Sequence, residues 1–150
     1  MKKTVKASKK GFTLVELIVV LVILAVLAAM LVPALVGYVD KAKAEKEYQT
    51  AATVYGAAQA TITEMYGRDA LSSKNGTISK GTKYTIGSGS TAKSVKYGEQ
   101  VLSLAGVDTN AVSSFKFTYK DYIISGGSVK INNHTYTLTI KDGVPSWTAE

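Results

Sequence analysis

Lys9-Lys10-Gly11-Phe12-Thr13-Leu14-Val15-Glu16 places a basic pair, a glycine and one carboxylate at the mouth of a long apolar run. From Leu17 to Val39 the chain carries 23 residues and no formal charge. At about 1.5 Å per residue, a helix of that length crosses the roughly 30 Å of bilayer hydrocarbon. A carboxylate in such a segment costs roughly 2.5–3.5 kcal/mol at the bilayer centre. Glu16 stands near one edge of the span, where a snorkelling position or a partner charge must offset that cost.

The charge of the chain is unevenly distributed. Lys2, Lys3, Lys6, Lys9 and Lys10 precede Phe12, and all 11 acidic residues follow it. Taking those five lysines from the 18 basic side chains leaves 13 against 11 acidic ones, a net of +2. The overall +7 therefore belongs to the leader, and a nucleic-acid ligand is not expected, because a binding stripe would persist in the folded part. No cysteine is present. This excludes thiol nucleophiles and thiolate metal sites, and fits an organism that seldom uses disulfides, such as a Gram-positive bacterium.

A secretory signal has an apolar stretch of about 7–15 residues ahead of a small-residue cleavage site, shorter than the run here. A plain signal anchor fits the length but gives Glu16 no role beyond snorkelling. In either membrane reading the five lysines keep the N-terminus cytoplasmic and send the remainder outside.

Lys10-Gly11-Phe12-Thr13-Leu14-Val15-Glu16-Leu17 resembles the class III signal of type IV pilins and pseudopilins. The resemblance is strong over residues 9–46 and architectural beyond. It implies that a prepilin peptidase cuts between Gly11 and Phe12, reading Lys9, Lys10 and Gly11 of the leader, and that the same enzyme methylates the Phe12 amine. It also implies that Glu16 meets the Phe12 ammonium of a neighbouring subunit and sets axial stagger during assembly, and that Pro33 kinks the helix. The implied partners are further copies of the chain in a helical filament, an assembly ATPase, a membrane platform protein and, before assembly, membrane lipid. The fold expected is α+β, a pilin-like lollipop with one long N-terminal helix on a small antiparallel sheet of about four strands.

The residues beyond the span agree with that architecture. Tyr38 to Glu47 are mostly good helix formers. Apolar side chains then recur at Tyr48, Ala51, Tyr55, Ala58, Ile62 and Met65, a narrow helical stripe. Gly67 is the expected stop, in the position after the helix that glycine favours. The helix should run from about Thr13 to Tyr66, about 81 Å at 1.5 Å per residue.

Five segments follow: a leader (1–11), a transmembrane and assembly helix (12–39), its amphipathic continuation (40–66), a connecting region (67–114) and an antiparallel meander (115–150). Residues 72–94 read as a Ser- and Gly-rich loop with a weak strand at Lys83–Ile86. Tyr97–Ala105 reads as a short helix closed by Gly106. Phe115, Phe117 and Tyr119 alternate with polar residues, as do Tyr136, Leu138 and Ile140, the pattern of half-buried strands. Gly126-Gly127 reads as a turn before Val129 and Ile131, and Asp142-Gly143 as a two-residue hairpin. Pro145 marks an edge strand. Trp147 falls out of phase with Val144, which predicts a bulge or an irregular end.

No catalytic constellation is visible. His134, the single histidine, stands beside Asn132-Asn133 in an expected turn. Asp108, Asp121 and Asp142 fit no calcium-loop spacing, so neither a metal nor a cofactor is expected. Asn75-Gly76-Thr77 and Asn133-His134-Thr135 match the glycosylation triplet, which is too common to carry weight. The chain reads as a non-enzymatic filament subunit, the major pilin of a type IV pilus. Its rivals are a pseudopilin of a type II secretion or DNA-uptake system, a minor adhesive pilin, and a signal-anchored surface protein.

Overall fold

A computed structural model describes residues 11–87 and 89–150 of the chain. Helix α1 runs from Leu14 to Gly67, 54 residues, and continues unbroken through Pro33. The chain divides into two compact units, Met1–Lys43 and Ala44–Glu150. α1 supplies the described helix of the first unit and the first element of the second.

In the first unit α1 is long and apolar enough to cross a membrane, and its most apolar window has no buried residue within the chain. Leu, Val, Ile and Ala occupy every side of it, so no stripe distinguishes an inner from an outer face. In the second unit the pattern changes to one buried face: Ala51, Val54, Ala57, Ala58, Thr61, Ile62 and Met65. Four members of the expected stripe, Ala51, Ala58, Ile62 and Met65, are fully buried. Tyr48 is not: it is 42% exposed, one turn before the core begins. Val54, Ala57 and Thr61 widen the stripe, and Thr61 joins it because its hydroxyl donates to the Ala57 carbonyl at 2.8 Å.

The helix ends at Gly67, one residue past the expected Tyr66, and its left-handed closing position falls two residues beyond the expected glycine. Asp69, at φ 50°, takes the left-handed position. Its N–H bonds the Tyr66 carbonyl at 3.1 Å, and the Ala70 N–H bonds the Met65 carbonyl at 2.9 Å. This is a Schellman closure, and Ala70 and Met65 both belong to the buried core. Asp tolerates the left-handed region through its short polar side chain, so Gly67 stays inside the last turn.

Seven strands and a second helix follow: β1 (Gly76–Ser79), β2 (Tyr84–Ile86), β3 (Lys93–Val95), α2 (Tyr97–Ala105), β4 (Val112–Lys120), β5 (Ile123–Ile131), β6 (His134–Lys141) and β7 (Val144–Ala149). β4 to β7 are the expected four-strand antiparallel meander. β1 adds a fifth strand, giving the order β1-β4-β5-β6-β7, while β2 and β3 pair separately. The expected loop therefore holds a strand at Gly76–Ser79, where Thr77 and Ile78 find partners in Thr118 and Phe117, and the weak strand expected at Lys83–Ile86 is β2. α2 closes as expected, with Gly106 at φ 64° and its N–H on the carbonyls of Leu102 and Ser103.

Gly126 and Gly127 do not form a turn. They lie inside β5, and the β4–β5 hairpin turns instead at Asp121 and Tyr122, at φ 50° and 64°. A Cβ on Gly127 would stand 2.3 Å from the Lys116 carbonyl oxygen and 2.6 Å from the Phe117 ring. The glycine is there for close approach beside the register shift at Thr118/Tyr119. Asp142-Gly143 is the expected hairpin, with φ 53° and 78°. β7 is an edge strand, with Pro145 opposite Ile140. No bulge accompanies Trp147, which sits opposite Leu138 in continuous register. Val144 is simply on the outer face, 65% exposed.

One face of the sheet covers the buried stripe of α1. Phe117, Val129, Ile131 and Leu138 join Val54, Ile62 and Met65 in a single core. Each such side chain contributes roughly 1.5–3 kcal/mol by leaving water. Tyr55 meets Phe117 and Trp147 edge-on, at centroid distances of 6.1 and 6.3 Å.

Candidate processing and assembly site

Gly11 and Phe12 lie in irregular chain ahead of α1, and Phe12 is 86% exposed. The bond between them is therefore outside the hydrogen-bonded helix, where a peptidase can engage an extended backbone. Lys9 and Lys10, the expected recognition pair, lie outside the described residues.

Thr13 begins the helix. Its carbonyl accepts the Leu17 N–H at 3.2 Å, the first intrahelical bond. Its side-chain oxygen accepts the Glu16 N–H at 3.2 Å. The Glu16 carboxylate reaches back: Oε2 accepts the Thr13 N–H at 2.8 Å and the Thr13 hydroxyl at 2.7 Å. This is a capping box, in which the N-cap and the third helical residue satisfy each other's orphan N–H groups. The carboxylate also faces the positive end of the helix dipole.

The geometry changes the reading of Glu16. Part of its cost is met within its own chain, by a residue to which the sequence reading assigned no role. The signal was present: Thr-x-x-Glu ahead of an apolar run is the capping-box spacing. Among the described residues every hydrogen bond to the Glu16 carboxylate uses Oε2. The box also involves no atom on the leader side of the Gly11–Phe12 bond, so the cut would leave it intact. Pro33 is carried inside α1, and the structure brings it near none of the other expected site residues.

A second cluster lies in the head. Glu47 accepts hydrogen bonds from Asn132 Nδ2 at 2.7 Å and the Tyr136 hydroxyl at 3.0 Å, and pairs with His134 Nδ1 at 2.8 Å. Burial works to raise the Glu47 carboxyl, and the bonds from Asn132, His134 and Tyr136 outweigh it, holding it below the usual carboxylate range. Burial, then the bond to Glu47, pushes the Tyr136 hydroxyl up. One turn of helix beyond the apolar span is thus pinned to the β5–β6 hairpin. Farther along, the Gln59 amide grips the β4–β5 turn, donating to the Tyr122 carbonyl at 2.9 Å and accepting the Ile124 N–H at 2.8 Å. His134, read as a turn residue, is the first residue of β6 and a structural tie. No local pattern announces these contacts, since the partners are more than 60 residues apart.

Comparison with known families gives one match: the prokaryotic N-terminal methylation motif, over residues 6–32. No curated protein and no solved structure matches the chain. The matched span contains Gly11, Phe12, the Thr13–Glu16 box and the first part of the exposed apolar helix. It supports a type IV pilin-like or pseudopilin protein without distinguishing the roles within that group. The chain thus carries the class III signal peptide of type IV pilins and pseudopilins.

Proposed function

We propose that the chain is a prepilin, the precursor of the major structural subunit of a type IV pilus. The peptidase cuts between Gly11 and Phe12 and methylates the Phe12 amine. Membrane-held subunits then pass, driven by an assembly ATPase and a platform protein, into a helical surface filament. The observation that carries this reading is the exposed apolar helix that opens directly on the Gly11–Phe12 bond. Among the described residues its side chains have no cover, which supports lipid before assembly and other copies afterwards as that cover. Lipid tails are as apolar as the helix, so packing and satisfied charges decide the exchange.

Glu16 adds the charge term. Cleavage creates an ammonium at Phe12, and a neighbour's Glu16 can meet it through the oxygen that the cap leaves open. Desolvation cancels much of the gain from such a pair, so it sets register more than stability, as a buried polar residue does in a coiled coil.

Mass analysis of sheared surface filaments tests the proposal, and an N-terminus of methylated Phe12 is expected. Full-length chain confined to membranes would overturn it. Two variants separate the roles of Glu16. Glu16→Gln keeps a capping partner, because glutamine serves in the box, but removes the charge. Glu16→Ala removes both. Loss of filaments in both variants, with processing intact, supports the ion pair. Normal filaments from Glu16→Gln would reduce Glu16 to a helix cap.

A further inference from the structure

The sheet face turned away from α1 sets exposed lysines among threonines and serines. Strand registers place Lys116, Ser128, Thr137 and Thr148 in one row across it, and Thr118, Gly126, Thr139 and Ser146 in the next. Lys130 lies between Ser114 and Thr135 in the adjoining row. Lys120 and Lys141 stand toward the other end, opposite Ile123 and Val144. All four lysines are exposed. Among the described residues none of them forms an ion pair. Asp121 and Asp142 stand at its margins in hairpin turns; Glu150 lies on the face itself, exchanging backbone bonds with Thr135 at 3.0 and 2.9 Å and so ending the row that holds Lys130.

This arrangement is open, cationic and rich in hydroxyls. Lys116 and Lys130 are diagonal neighbours on adjacent strands, about 7–8 Å apart at the backbone. Lys116 and Lys120 are four residues apart on one strand, roughly 13 Å. Between the charges lie threonine and serine hydroxyls: those of Thr118 and Ser146 already donate to the Gly126 and Thr139 carbonyls at 3.2 and 3.1 Å and can still accept, while those of Ser128, Thr137 and Thr148 can donate and accept. Gly126 carries no side chain to interrupt them. The aromatic side chains of these strands, Phe115, Phe117, Tyr119, Tyr136 and Trp147, belong to the opposite face and its core.

We propose that this face binds an acidic polysaccharide, with the lysines pairing with its sulfate or carboxylate groups and the Ser/Thr rows bonding its hydroxyls. The chemistry favours that occupant over nucleic acid. Single strands are held on stacked aromatics, which this face lacks. A duplex is read by elements that enter a groove, and this face is a sheet surface with no projecting helix. The inference stands on the head alone and does not depend on whether the chain forms a pilus.

The test uses the full chain in non-ionic detergent, with dextran sulfate as probe, neutral dextran as control and a short DNA duplex as competitor. Dextran sulfate should bind, and its affinity should fall as salt rises. Neutral dextran should not bind. The double variant Lys116→Gln/Lys130→Gln should weaken binding about tenfold at an unchanged melting temperature. Thr137→Val should weaken it about threefold through the lost hydroxyl. The leader also carries lysines, so Lys2→Gln/Lys3→Gln is the necessary comparison and should matter less than about twofold. Equal binding by the Lys116/Lys130 variant and its parent would overturn the proposal. Binding of the duplex as tight as that of dextran sulfate would also overturn it, by making the occupant a nucleic acid.

Discussion

The two halves of α1 share one backbone and oppose each other in everything else. From Leu14 to about Val39 the helix is apolar on all sides, and its large side chains are roughly half exposed or more. From Ala51 to Met65 it buries one face completely and leaves the other wet. The same residue type therefore has two energetic meanings. Ile23 is 53% exposed and Ile62 is 0% exposed. In the first half apolar side chains stay exposed among the described residues. In the second they form the chain's own core.

The largest expected effect tests that contrast directly. Ile62→Ala should destabilise the head by about 2–5 kcal/mol, the lost transfer energy plus the cavity left behind. Ile23→Ala should change head stability by less than about 0.5 kcal/mol. Chemical unfolding in detergent, followed through the half-buried Trp147, measures both. Equal losses would show that the first half also contributes to the head's core.

A smaller effect sharpens the boundary between the halves, at Glu47. Its carboxyl is held below the usual range in the folded head, so it favours the folded state whenever it is ionised. That contribution is fully present above the unfolded carboxylate range. It is lost as the pH falls through the lowered folded value. Glu47→Gln should cost about 1–3 kcal/mol at neutral pH and flatten the acid limb of the stability profile. His134 shares the cluster, so His134→Gln belongs in the same pH series. An acid limb unchanged in Glu47→Gln would refute the tie.

The smallest effect concerns Tyr97, the first residue of α2 and fully buried, whose hydroxyl has no hydrogen-bond partner among the described residues. Burial, then the nearby Glu64 charge, pushes that hydroxyl up, with Arg68 opposing. An unpaired buried hydroxyl is a cost, so Tyr97→Phe should leave the melting temperature unchanged or raise it slightly, within about 1 kcal/mol. A clear loss of stability would mean the hydroxyl has a partner in solution.

Much of this molecule is legible from local pattern. The charge-free run, the α1 continuation, α2 with Gly106, the Asp142-Gly143 hairpin and edge-strand Pro145 all follow from periodicity and turn chemistry within a few residues. Thr13 was equally legible, three residues ahead of Glu16, because the capping box is a local device. Gly126-Gly127 misled because glycine serves turns and close approaches alike. Only the Lys116 backbone and the Phe117 ring, on another strand, decide between them. Gly67 misled because Asp69 could take the left-handed position as well.

The sequence by itself determined where the apolar helix begins and which bond precedes it; that its carboxylate caps its own first turn is equally local, but the structure made it plain. Those properties depend on neighbours within four residues, whose geometry the helix dictates. Tertiary structure alone decided that Glu47 closes on Asn132, His134 and Tyr136, that β1 joins the sheet, and that four lysines share one open face. Each depends on strand register, and register is settled by which side chains the core accepts rather than by any residue's own preference.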